Sequence, residues 1–177
     1  MTNSKIYSSL DVIYWFFHKF GTTKTPADKQ KTQHLLFLSQ MHYLLKNKKI
    51  LFASFFISDK NCFYEPTLLK IIQTGFPLNY NFSMNKTDCD FLDLIWQKYS
   101  PLSANELNTF IEKFYNFIET TENAIINPFE ILKSFSDFIQ VNHEKTSFTK
   151  SKIMLSQNGP VRVTEWKPRK INNNQGE

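Results

Sequence analysis

Leu35, Leu36, Leu38, Met41, Leu44 and Leu45 recur at spacings of three and four along the chain, which gathers them on one face of a helix. Thr25 can cap that helix, Pro26 suits its first turn, and Asp28 favours its dipole. Asn47-Lys48-Lys49 interrupts the pattern. The run Ile50 to Ile57 that follows has the length and Ile/Phe content of a strand covered on both faces. Thr25 to Ile57 therefore reads as the centre of the core.

Other helices arrange themselves around it. Ser8 with Asp11 starts a helix through Leu10, Val12, Ile13, Trp15, Phe16, Phe17 and Phe20, apolar nearly all round and ended by Gly21. Ser58 to Asn61 is a turn, Cys62-Phe63-Tyr64 a brief extension, and Pro66 opens a short helix that Gly75 ends. Thr87 with Asp90 is expected to cap a helix over Phe91 to Tyr99, which Ser100-Pro101 stops. Ser103-Ala104-Asn105-Glu106 is a capping box ahead of the stripe Leu107, Phe110, Ile111, Phe114, Phe117 and Ile118. Asn127-Pro128 with Glu130 starts a last helix bearing Ile131, Leu132, Phe135, Phe138 and Ile139. The fold expected is mainly α: a compact helical domain of about six helices with one or two short core strands. At the C-terminus, Lys152 to Leu155 and Val161 to Trp166 flank Gln157-Asn158-Gly159-Pro160. Asn-Gly signals a hairpin, Pro160 argues against a strict two-residue turn, and a flexible tail that orders on a partner is the rival reading.

Composition sharpens this picture. Eighteen Phe and only four Gly among 177 residues favour an aromatic helical interior and disfavour a glycine-rich phosphate cradle. The net charge of +5 is uneven. Lys150, Lys152, Arg162, Lys167, Arg169 and Lys170 face Glu165 alone between Phe148 and Ile171. Residues 1–147 thus read as a near-neutral helical domain, and 148–177 as a basic tail or hairpin that invites an electrostatic partner. Cys62 and Cys89 lack a metal spacing and read as reduced thiols. With no apolar run long enough for a membrane span and no signal-peptide pattern at Met1 to Gly21, a soluble cytoplasmic protein is expected.

A search for chemistry returns little. His18, His34, His42 and His143 include no pair with a zinc-helix spacing. Of the carboxylates at Asp88, Asp90 and Asp93, Asp88 and Asp90 sit at a helix start, where dipole compensation accounts for them. Neither cysteine lies in a nucleophile signature, and no G-x-S-x-G occurs. The expectation is no enzyme, no cofactor and no metal; a small enzyme using His34 and His42 is the weakest rival. The tail mixes Arg162, Trp166, Lys167, Arg169 and Lys170, as phosphate-tracking and base-stacking surfaces do, so a nucleic-acid contact stands beside a protein contact.

Lys31 to Tyr43, KTQHLLFLSQMHY, continuing to Lys48-Lys49-Ile50-Leu51-Phe52, resembles the K-x-Q-K-L-L-Y-x-x-Q-x-x-x-L opening of the phage-associated SocA-like, or Panacea, antitoxin domain. Phe91 to Tyr99 and Leu102 to Leu107 are similar to the family's later vW-x-x-Y-g-x-l-S-a-x-x-L segment. The likeness spans about Val12 to Phe117 and is that of a divergent member. Ile57-Ser58 and Asn61-Cys62-Phe63 stand where the family has Ala-Trp and Gly-Pro-Val elements, and no Thr-His or Pro-Trp pair follows Leu107.

The resemblance implies a non-catalytic, mostly helical antitoxin of a toxin–antitoxin system that neutralises a partner toxin by direct binding. Lys31, Gln33 and Gln40 are the polar candidates for that contact on the central helix, with intrahelical or capping bonds as the alternative. On the tail the candidates are Arg162, Trp166, Lys167 and Arg169, Trp166 as anchor and the cations for steering. Trp96 and Tyr99 are assigned to packing. The competing readings are a nucleic-acid-associated regulator that grips phosphate with the tail, and a subunit of a larger protein assembly.

Overall fold

A computed structural model of the chain describes residues 5–20, 26–75, 80–146, 151–156 and 159–164. Among these, six helices and seven short strands follow the order β1 (Tyr7–Ser8), α1 (Ser9–Phe20), α2 (Pro26–Asn47), β2 (Phe52–Ala53), β3 (Phe56–Asp59), β4 (Cys62–Tyr64), α3 (Pro66–Thr74), α4 (Lys86–Tyr99), α5 (Ala104–Phe117), β5 (Ile125–Ile126), α6 (Leu132–Thr146), β6 (Ser151–Ser156) and β7 (Gly159–Thr164). The expected mainly helical domain is what forms. The chain divides into two compact units, Met1–Phe138 and Ile139–Glu177, each described here by itself.

Within the first unit α2 is the axis, packed against α1, α4, α5 and β4. Every residue from Thr32 to Met41 is buried, so the middle of this helix is enclosed on all sides rather than along one stripe. Phe37 organises the ring packing around it: it stacks on Phe63 with centroids 4.5 Å apart and meets Phe56 and Phe135 edge-on. Phe114 continues the cluster to Phe135 and Phe138. Edge-to-face and offset contacts add to the large area that each ring removes from water.

The strands correct the expected core strand. Ile50 to Ile57 is divided between β2, paired in parallel with β1, and β3, paired antiparallel with β4 and β5. Nor is the run covered on both faces, for Ala53 and Phe55 are exposed while Phe52 and Phe56 are buried. A period of two, hidden by the uniform hydrophobicity of the run, governs it. The β3–β4 connection is a two-residue hairpin between Asp59 and Cys62. Lys60 (φ 44°) and Asn61 (φ 67°) both adopt the left-handed backbone of a type I′ turn. Strands β1 and β5 were not expected at all; each is two residues long and holds on tertiary support, as where the Tyr7 amide donates to the Leu51 carbonyl at 3.0 Å.

Helix ends are set by local chemistry. The Ser8 amide donates to Asp11 Oδ2 and the Leu10 amide to Ser8 Oγ, as the sequence predicts for the start of α1. The capping box of Ser103 and Glu106 is complete. Gly75, at φ 84°, closes α3 with its amide on the Ile71 carbonyl. Two starts differ from expectation. Helix α4 begins at Lys86, capped by Asn85, whose side chain accepts the Asp88 amide at 2.8 Å; Thr87 lies inside the first turn. Asn127 accepts the Phe129 amide and reaches Glu130, but these bonds close a turn, and regular helix starts only at Leu132. The expected caps at Thr25 and Gly21 lie outside the described residues.

In the second unit β6 and β7 form an antiparallel hairpin in register from Ser151↔Thr164 to Ser156↔Gly159. Only two residues, 157 and 158, separate the closing pair, so the doubt raised by Pro160 is resolved against the longer loop. In a two-residue hairpin the closing pair is hydrogen-bonded and the next pair is not. Pro160 stands opposite Leu155 in that next pair, where the ladder requires no amide from it.

Candidate functional site

Gln40, one of the polar candidates on α2, is fully enclosed. Its Nε2 donates to the Phe52 carbonyl at 3.1 Å, and its Oε1 accepts the Leu51 and Phe52 amides at 3.1 and 3.3 Å. Those bonds fix the backbone against which β1 pairs, so the side chain serves the fold. Lys31 is half-buried and donates from Nζ to the Ser100 carbonyl at 2.6 Å, tying α2 to the end of α4. Burial lowers its pKa, with Asp28 and Glu106 opposing. Gln33, 7% exposed, has neither Oε1 nor Nε2 hydrogen-bonded. Tyr99 and Trp96 pack as expected: Tyr99 is buried with its hydroxyl 2.7 Å from His42 Nε2, and Trp96 meets Phe20 edge-on.

His34 and His42 face different neighbours. His42 meets Tyr99 of α4, whereas His34 Nδ1 lies 3.8 Å from Cys62 Sγ of β4. A thiol–imidazole contact invites comparison with a nucleophilic dyad, but the environment works against it. Burial pushes the His34 imidazole down to about 4, and burial, with Asp59 adding to it, pushes the Cys62 thiol up to about 11. Both groups are therefore neutral near pH 7, and the thiolate that nucleophilic or metal chemistry needs is disfavoured. His34 Nε2 is buried without a partner. Among the described residues no group of three or more His, Cys, Asp or Glu side chains is placed to hold a metal ion.

Asp88 has more to do than offset a helix dipole. Buried in the first turn of α4, it accepts the Tyr7 hydroxyl at 2.8 Å and the Tyr43 hydroxyl at 2.9 Å. Burial raises both phenols, Tyr43 to about 12, and the bonds to Asp88 add to the shift. This network joins β1, α2 and α4. Its members are separated by 81 and 45 positions in the chain, so no local signal announces it.

The surface holds what a partner can reach. Across the three-stranded sheet, Ile57 stands opposite Tyr64 on one side and Ile125 on the other, so the three share a face. The opposite face, Phe56, Ser58, Phe63 and Ile126, is the buried one. Ile125 is 71% exposed and Phe55, two positions before Ile57, 46% exposed. An apolar row of Ile57, Tyr64 and Ile125 thus crosses the open side of the sheet, with Phe55 immediately before β3. A separate cleft of about 300 Å³ is lined by Tyr14, Trp15, His18, Lys19 and Phe82, with Lys19 paired to Asp93.

Of the tail candidates, Arg162 lies in β7 opposite Ile153; Trp166, Lys167 and Arg169 lie outside the described residues. No described helix is long and apolar enough to cross a membrane. No family model matches the chain, and neither does any curated protein or solved structure.

Proposed function

We propose that the chain is a non-enzymatic protein-binding module, an antitoxin that neutralises a partner toxin by direct contact. The observation that supports this best is the apolar row Ile57, Tyr64 and Ile125 on the open sheet face, half-buried but for the exposed Ile125, together with the exposed Phe55 just before β3. Exposed apolar surface of this kind marks interaction sites, because leaving it in water is unfavourable unless a partner covers it. The neutral state of His34, fully enclosed, and of Cys62, half-buried, supports a non-catalytic role. Arg162, Trp166, Lys167 and Arg169 supply a second, basic contact.

The test is co-expression with the product of the adjacent reading frame. Expected is a frame whose expression alone stops growth, rescue by this chain through a stoichiometric complex, and loss of rescue in the folded double variant Phe55→Glu, Ile125→Glu. A non-toxic neighbour, or rescue untouched by both substitutions, sinks the proposal. The excess of Lys and Arg in the tail favours a second reading, a nucleic-acid-associated regulator. It requires DNA or RNA binding that weakens steeply with salt and disappears when Lys167, Arg169 and Lys170 become Ala.

A further inference from the structure

The hairpin of the second unit is a two-stranded sheet with no third strand among the described residues. Such a ribbon is at best marginally stable alone in water. Its two edges are not equivalent. With Ser156↔Gly159 as the hydrogen-bonded closing pair, alternation makes Met154↔Val161 and Lys152↔Val163 hydrogen-bonded as well. The backbone groups of Ser151, Ile153 and Leu155 then turn away from β7, and those of Pro160, Arg162 and Thr164 turn away from β6. The outward side of β7 is broken, because Pro160 has no amide to offer. Proline on an edge is how sheets block pairing there. The outward side of β6 keeps an amide and a carbonyl at each of its three outward positions.

From this asymmetry we infer that the outer edge of β6 at Ser151, Ile153 and Leu155 accepts an extended, acidic segment of a partner protein as an added strand. Main-chain bonds of the added strand supply affinity without requiring a pocket. The acidic character follows from the six Lys and Arg against Glu165 between Phe148 and Ile171, which favour and steer a segment of opposite charge. The inference rests on the protein-binding reading and places one of its contacts on the tail.

The probe is a fluorescein-labelled peptide about eight residues long, alternating valine with glutamate, titrated against the full chain by anisotropy; a lysine-for-glutamate version is the control. Expected is binding of the acidic peptide that weakens with salt, at least tenfold tighter than the lysine peptide. Ile153→Pro deletes an outward amide of β6 and Thr164→Pro one of β7, and neither touches the ladder between the strands. Ile153→Pro, and in a second variant Leu155→Pro, is expected to reduce affinity tenfold or more, with Thr164→Pro within about twofold of the wild type.

Equal loss in the β6 and β7 variants, no loss in either, or no binding of the acidic peptide overturns the inference. So does tail-dependent binding of a DNA duplex that survives Ile153→Pro while the peptide fails to bind. The assay contains no toxin, so a peptide that binds as expected alongside a failed growth rescue refutes the antitoxin reading and leaves the strand edge standing.

Discussion

Lowering the pH from 7 to 4 should cost this protein stability, and one substitution, His34→Leu, should remove the share of that loss that comes from a buried imidazole. His34 is fully enclosed, and burial pushes its imidazole from the ordinary 6.5 down to about 4. Below pH 6.5 the unfolded chain takes up a proton here that the folded chain refuses. Stability therefore falls as pH falls through the window from about 6.5 to about 4, and is constant in this term above it. At about 1.4 kcal/mol per unit, the full loss is about 3 kcal/mol. That is a large share of the 5–15 kcal/mol typical of a domain.

Carboxylates add their own acid dependence, as Glu106 does with its pKa lowered by the Ser103 hydrogen bonds. The quantity to measure is therefore a difference of differences. Urea unfolding followed by circular dichroism at pH 7, 5.5 and 4 gives the stability of wild type and variant at each pH. The wild type should lose about 3 kcal/mol more than His34→Leu across the range, with most of the gap opening below pH 6. Curves that fall in parallel would show that His34 is not the buried neutral group described here.

Further expectations follow from the same interior. Gln33 and Gln40 lie on one helix with opposite accounts, so replacing each by Met should move stability in opposite directions. Gln33→Met removes two orphaned buried atoms and gains about 1 kcal/mol, whereas Gln40→Met strands three backbone groups of residues 51 and 52 and loses about 2–4 kcal/mol, both read from urea midpoints. At pH 8, with its pKa raised from 9.0 to about 11, the Cys62 thiol should react with iodoacetamide roughly a hundredfold more slowly than a model thiol, as peptide mapping against time would show; equal rates would refute its burial. Lys48 ends α2 at φ 56° with its amide on the Leu44 carbonyl, so Lys48→Gly should raise the melting temperature by relieving about 0.5–1 kcal/mol of left-handed strain.

What could be read from the sequence was whatever a local period or cap encodes. The six helices follow from apolar spacings and from caps such as Ser103 with Glu106, since those signals lie within one or two turns of the residues they govern. Strands β1 and β5 have no such signal; Tyr7 extends because Leu51 and Asp88 are there to receive it. Ile50 to Ile57 misled for another reason. When both faces of a strand are apolar, hydropathy cannot say which is covered, and the exposed Phe55 looked like core.

The placement of the polar residues on α2 bears on where a partner can be held. Helix α2 contains Lys31, Gln33 and Gln40, and α4 contains Trp96 and Tyr99. Gln40 holds β2, Lys31 holds the end of α4, and Tyr99 holds His42. Each is a long-range bond whose loss would loosen the packing of α2, so these residues build the scaffold. A side chain that is enclosed cannot discriminate between partners. Discrimination must fall to accessible surfaces, and those proposed above among the described residues are the sheet side with the exposed Phe55 and Ile125, and the β6 edge of the hairpin. Substitutions on those surfaces should change binding at unchanged stability, and substitutions at Gln40 should do the reverse. The two groups of variants, measured for both properties, separate scaffold from interface without knowledge of the partner's name.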